Sequence, residues 1–160
     1  MSAGCRNQGL NPEMSEDDFA EVSRAFNGAE NGYLTNNLDD KDNYYMKRVY
    51  LACVRAVDFL TSLPEWDGKN VIAQGGSQGG ALALVTAGLD ERVTACVANH
   101  PALSDMAGYL WGTGGYPHFN RMRNMLTPEK VKTLAYYDVV NFARFVRCNT
   151  YLTWGFNDDV

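Results

Sequence analysis

Apolar residues along this chain recur with two periods, and the switches between them outline a succession of elements. Residues 1–14 are polar and rich in turn formers, with Gly4, Gly9 and Asn11-Pro12. Ser15 ahead of Glu16-Asp17-Asp18 is a helix-capping pattern with acids in the first turn. Phe19, Val22 and Phe26 follow at helical spacing, so a short helix is expected there. Asn27-Gly28 and Asn31-Gly32 mark 27–38 as a loop. The strongest helical stripe is Val49, Cys53, Ala56, Leu60 and Leu63, widened by Val57. Asp40 or Asp42 is its expected cap, and Pro64 ends it.

Short apolar runs at 71–74, 93–98 and 150–154 read as strands. Between the first two, 78–87 is apolar at helical length and stops at Gly88. Asn99-His100-Pro101 opens a long irregular region containing Gly112, Gly114 and Gly115. Thr127-Pro128-Glu129 starts another helix, with threonine as cap and proline in the first turn. A further short helix is expected over 138–146. Strands that alternate with helices, and that lack apolar/polar alternation, predict an α/β fold: a mostly parallel sheet with helices on both faces. No internal repeat interrupts the pattern, and 160 residues with 46% apolar content suit one domain.

The chemistry concentrates at Gly75-Gly76-Ser77-Gln78-Gly79. A serine flanked by glycines at i−2 and i+2, between a strand and a helix, reads as a nucleophile elbow. Such a turn strains the serine backbone, and side chains at the positions of Gly75 and Gly79 are expected to collide with the neighbouring strand or helix. The helix that follows aims its free N–H groups and positive dipole end at the site. The amide of Gln78 is then placed to stabilise an oxyanion. A plain glycine-rich turn is the alternative.

Composition adds mainly exclusions. A net charge of −5 without a basic stripe argues against a nucleic-acid partner. No run of about 18 apolar residues occurs, so no membrane-spanning helix is expected. Met1-Ser2-Ala3-Gly4-Cys5-Arg6 lacks the apolar stretch of a signal peptide, and no compartment is assigned. The four cysteines (Cys5, Cys53, Cys96, Cys148) show no C-x-x-C spacing and read as reduced packing residues. With two histidines and no paired-ligand spacing, neither a metal nor another cofactor is expected.

In hydrolases with such an elbow the triad runs serine, acid, histidine along the chain. Gly155-Phe156-Asn157-Asp158 follows an apolar strand, so Asp158 is the expected acid, with Asp159 as rival and a strand-capping turn as the bland reading. No histidine follows Asp158 in these residues. His100 and His118 both lie between serine and acid. His100 follows a strand and is a possible pocket wall; His118 reads as a packing or loop residue. Tyr109, Trp111, Tyr116 and Phe119 are candidates either for stacking on sugar rings or for simple packing.

Beyond the elbow, the chain carries Tyr44-Tyr45-Met46-Lys47-Arg48-Val49-Tyr50, Arg55-Ala56-Val57-Asp58 and Leu63-Pro64-Glu65-Trp66-Asp67. It also carries Ala98-Asn99-His100-Pro101-Ala102-Leu103, Tyr137-Asp138-Val139-Val140-Asn141 and Gly155-Phe156-Asn157-Asp158. With Gly75 to Gly80, these segments resemble the acetyl xylan esterase and cephalosporin-C deacetylase family over almost the whole chain. The resemblance implies an α/β-hydrolase that removes acetyl groups from oligosaccharides and related small acetylated compounds. In it Ser77 matches the nucleophile, Asp158 the acid and Gln78 the backbone oxyanion donor. It further implies a homo-oligomer in the full-length protein, a second oxyanion donor upstream of these residues and a catalytic histidine downstream of them. Residues 1–160 are therefore expected to form a single incomplete α/β-hydrolase domain, inactive by itself. A serine peptidase of the prolyl-oligopeptidase type, or a non-catalytic remnant without the triad histidine, are the competing readings.

Overall fold

A computed structural model describes residues 15–17, 20–21 and 33–155. Residues 16, 17, 20 and 21 are helical, in line with the capping pattern after Ser15; Phe19, Val22 and Phe26 lie outside the described residues. Helix α1 spans Tyr45–Ser62. Its buried stripe is Tyr45, Met46, Val49, Tyr50, Cys53 and Val57, which recur at helical spacing. Ala56 and Leu60 are only half-buried, so the inner face is rotated from the expected one toward Met46 and Tyr50. The cap also differs. Tyr44 holds that position in an extended conformation (φ −57°, ψ 133°). Asp40 is occupied earlier, accepting from the Asp42 amide (2.9 Å) and from Asn43 Nδ2 (2.7 Å) to close the preceding turn. At the other end Leu63 is extended, as the residue before a proline prefers to be.

The sheet has three parallel strands: β1 (Ile72–Gly76), β2 (Ala95–Asn99) and β3 (Asn149–Thr153), in the order β1-β2-β3. Their last row is Gly76, Asn99 and Thr153 in register. Helix α2 (Gln78–Leu89) joins β1 to β2 and packs against both. Every residue of it from 80 to 87 is buried. Each fully buried Leu or Val there contributes roughly 1.5–3 kcal/mol relative to exposure. α2 does not stop at Gly88. The missing side chain lets the Phe142 carbonyl oxygen come to 2.5 Å from where a Cβ would stand, so this glycine serves packing rather than termination. Short helices α3 (Pro117–Arg121), α4 (Pro128–Tyr137) and α5 (Val139–Ala143) complete the order. Thr127 caps α4 as expected, accepting from the Lys130 amide. Asp138 caps α5, which is shorter than 138–146.

Cys96 and Ala98 face α2 and are fully covered. The opposite face is open among the described residues, with Ile72 63% and Tyr151 64% exposed, whereas strands apolar on both sides lead one to expect helices on both. Cys53 and Cys96 are buried and Cys148 is half-buried, and none of the three is in a disulfide; Cys5 lies outside the described residues.

Behind the sheet end, aromatic rings join α1 to α4 and α5. Tyr44 and Tyr137 centroids are 5.2 Å apart, and Tyr50 and Phe142 5.3 Å apart. Their polar tips are satisfied: Tyr44 donates to Leu34 O, Tyr50 to Tyr137 O and Tyr137 to Lys41 O. Burial pushes the Tyr50 phenol far above its ordinary range.

Arg92 fastens the opposite end. Its guanidinium donates from Nε (2.8 Å) and Nη2 (2.5 Å) to Asp90, from Nη2 to Asp58 (2.6 Å) on α1, and from Nη1 to Thr61 (3.1 Å). These bonds hold the Asp90 carboxyl below its usual range. A depressed carboxylate stabilises the fold above its unfolded pKa and loses that contribution as pH falls through its folded pKa. Arg92→Met should therefore lower unfolding stability by roughly 1–2 kcal/mol near neutral pH, because Asp90 is left without its ion partner. It should also flatten the loss of stability on acidification. Chemical denaturation of the purified chain between neutral pH and the carboxylate range measures both.

Candidate active site

Ser77 stands between the end of β1 and the start of α2 with φ 52° and ψ −119°. A non-glycine residue there costs on the order of 1–3 kcal/mol and is kept only where its surroundings over-determine it. Three backbone hydrogen bonds do so. The Ser77 amide donates to the Asn99 carbonyl (2.9 Å), and the Ser77 carbonyl accepts from Ala102 (3.0 Å) as well as from Ala81 in α2 (3.0 Å). The turn is thus tied to the segment that follows β2. Ser77 is solvent-exposed.

The glycines divide differently from the sequence expectation. A Cβ at Gly75 would run into the backbone of Gly79, so that position must be bare. A Cβ at Gly79 would meet nothing within 4 Å, which corrects the expected collision there. The second steric requirement falls on Gly80, whose Cβ would lie 2.9 Å from Asn99 O and 3.2 Å from Pro101 Cα. Gly79 contributes its backbone, which passes too close to Gly75 for any side chain on that residue.

Gln78 is the first residue of α2. The first amides of a helix have no intrahelical acceptor and carry the positive end of its dipole, so this end of α2 presents donors beside the serine. His100 is exposed, at φ 35°, and its Nε2 lies 3.8 Å from where a Gly76 Cβ would be. The imidazole lies against Gly76 on the open sheet face next to the elbow. His118 is remote from these contacts. It stacks on Tyr116 (6.2 Å), meets Phe119 edge-on (5.7 Å) and acts as a packing residue. Burial there, with Arg121 nearby, lowers its pKa. Phe119 is core, whereas Trp111 is 68% exposed. Asp158 and Asp159 lie outside the described residues. A cavity of about 650 Å³ runs between α1, α2 and the unpaired edge of β1, but Ser77 is not among its walls. No group of three or more His, Cys, Asp or Glu able to hold a metal ion occurs among the described residues.

Two residues that the sequence did not single out hold this site together. Asn99 ends β2; its side-chain oxygen accepts from Thr153 Oγ1 (2.9 Å). A polar residue closing an apolar strand was the available signal. Asp138 is a buried carboxylate that accepts from the amides of Asp105 (3.0 Å), Met106 (2.7 Å) and Val140 (3.0 Å). Desolvation outweighs these bonds and raises its pKa. Its sequence context announced a helix start and nothing more.

A strained serine between a parallel strand and a buried helix, with helix-end amides beside it, defines the α/β-hydrolase class of elbow. The family profile described as acetyl xylan esterase matches residues 1–160, and the chain belongs to that family. The acetyl esterase Axe7A of Xylanibacter ruminicola is 74% identical over 153 residues, which are 95% of this chain and 35% of that protein. An acetyl xylan esterase from Paenibacillus sp. R4 superposes with a TM-score of 0.67 at 32% identity, over 75% of this chain and 40% of that one. Acetyl xylan esterase 1 from Thermoanaerobacterium sp. JW/SL YS485 gives 0.66 at 28% identity, over 76% and 42%. The chain therefore spans about a third of the length of the curated relative it matches.

The steric division of the glycines is directly testable. Gly75→Ala and Gly80→Ala should each destabilise the purified chain by roughly 1–3 kcal/mol through backbone displacement. Gly79→Ala should be neutral or stabilising by up to about 1 kcal/mol, since alanine favours helix and meets open space. Thermal unfolding of the three variants distinguishes them.

Proposed function

We propose that this chain carries the nucleophile half of a serine carboxylesterase acting on acetylated oligosaccharides and related small acetyl esters. The observation that carries the reading is the conformation of Ser77, an exposed serine at φ 52° and ψ −119°, tied to Asn99 and Ala102 at the mouth of a parallel sheet. Family membership and the names of the relatives support the choice of acetyl ester.

In this mechanism Ser77 Oγ attacks the acetyl carbonyl carbon, and its proton passes to a histidine contributed by the remainder of a longer protein. The carbonyl oxygen becomes an oxyanion and is held by the Gln78 amide. Collapse of the tetrahedral intermediate breaks the bond to the sugar oxygen, which takes the proton from the imidazolium and leaves as the hydroxyl. Water, activated by the same histidine, then hydrolyses acetyl-Ser77 to acetate and free serine. Asp158 fixes the tautomer of that histidine and stabilises its charged form. Gly75 and Gly79 shape the turn, and His100 lines the pocket wall. Nothing in this sequence of steps calls for a metal or organic cofactor. A homo-oligomer of the longer protein belongs to the same reading and rests on the family resemblance.

In a chain extended to the length of its relatives, Ser77→Ala should lower turnover of an aryl acetate by several orders of magnitude while leaving the fold intact. Asp158→Asn should lose most activity and Asp159→Asn little, because only the triad acid sets the imidazole tautomer. Steady-state kinetics of the three variants check the assignment. Near-normal turnover by Ser77→Ala would remove the nucleophile, and a sensitive Asp159 would move the acid by one residue.

A further inference from the structure

We propose that Asn99 is a positioning residue that couples the nucleophile turn to the strand leading to the acid, through its hydrogen bond with Thr153. The inference rests on the reading of Ser77 as nucleophile and Asp158 as acid, and extends it to residues with no role in that chemistry.

Asn99 sits at the centre of the last row of the sheet, between Gly76 and Thr153. Each of its groups reaches a different neighbour. Its carbonyl accepts from the Ser77 amide (2.9 Å). Its side-chain oxygen accepts from Thr153 Oγ1 (2.9 Å), across to β3. Its backbone is also the surface on which the bare Gly80 of α2 rests. The next residue repeats the link, since the His100 amide donates to the Thr153 carbonyl at 2.6 Å. One residue thus touches the nucleophile turn, the helix that supplies the oxyanion donor, and the end of β3.

Thr153 is the last residue of β3, and the proposed acid follows it by five residues in the sequence, so tying Thr153 fixes where the chain leaves the sheet toward that acid. Parallel strands have no hairpin to fix their relative ends, and the ladder stops at this row. The Asn99–Thr153 side-chain bond joins the backbone bond from His100 to Thr153 in holding this last row in alignment. A displacement of about 1 Å in a catalytic constellation can cost on the order of a hundredfold in rate. A cross-strand Asn–Thr pair with a purely structural role would instead stabilise the sheet and leave catalysis alone.

The test uses the chain extended to the length of its relatives, p-nitrophenyl acetate as probe, and Ser77→Ala and Asp158→Asn as controls. Thr153→Val removes the hydroxyl at constant shape and suits a strand. It should lower kcat by roughly ten- to a hundredfold with little change in KM. The acidic limb of kcat/KM should move to lower pH, because a displaced carboxylate stabilises the imidazolium less. Thr153→Ser, which keeps the donor, should restore both. Asn99→Ala should show the same defect, and the double variant Asn99→Ala/Thr153→Val should be no worse than the poorer single variant. Wild-type rate and pH profile in Thr153→Val, with both controls inactive, would overturn the positioning role and leave the nucleophile and acid standing. Equal impairment of Thr153→Val and Thr153→Ser, or additive effects in the double variant, would overturn it as well. Full activity in either control would remove the underlying reading and this inference with it.

Discussion

The first turn of α2 lies directly on the ends of β1 and β2, backbone against backbone, and most of what surrounds Ser77 follows from that seating. Gly75 is bare because Gly79 passes over it, and Gly80 is bare because Asn99 and Pro101 lie beneath it. With the helix this close, the chain has one residue in which to turn from strand to helix, and Ser77 takes the positive φ that the turn demands. The local cost of that conformation is small beside the apolar burial of α2, whose residues from 80 to 87 are all covered. A turn seated this way is set by the packing of helix on sheet. Preorganised donors that need no rearrangement are the ones that stabilise a developing charge most.

The same seating passes strain to the segment after β2. His100, Leu103 and Asp105 all have positive φ, so this stretch has no regular structure to hold it. It is held instead by neighbours: Thr153 O at residue 100, Ser77 O at residue 102, the Val139 amide at residue 103 and the Asp138 carboxylate at residues 105 and 106. The buried Asp138 bears a desolvation cost that raises its pKa, and three amide donors offset part of it. Behind it, Tyr137 and Tyr50 extend the support to α1. A chain of hydrogen bonds and rings therefore runs from the outer helix to the carbonyl of Ser77.

Much of this was legible in the residues. The strand–serine–helix order, the parallel sheet and the Thr127 cap are set by local periodicity and turn chemistry, which a sequence displays directly. What stayed hidden depends on contacts between distant segments. Gly88 reads locally as a helix stop, yet it is bare for Phe142, which lies 54 residues away in a different helix. The motif points to Gly79, and only the position of Asn99 shows that Gly80 is the one that needs to lack a side chain. Asp40 looks like the cap of α1 by composition, but it is consumed by Asn43 one turn earlier. Asp138 announces a helix cap and conceals its second task, because its partners at 105 and 106 are brought to it by tertiary packing alone.

The distribution of strain itself marks the functional end of the sheet. Of the five non-glycine residues with positive φ among the described residues, Ser77, His100, Leu103 and Asp105 all follow the C-terminal ends of β1 and β2; Asn37 alone lies elsewhere. In a parallel α/β sheet that is the end where ligands bind, since the loops there are free to diverge while the strands below stay fixed. Backbone strain persists only where tertiary contacts outvote local preference, and here such contacts meet at Ser77 and Asn99. The core of α1, α2 and the strands thus does more than bury apolar surface: it holds in place a backbone geometry that the local sequence would not adopt by itself.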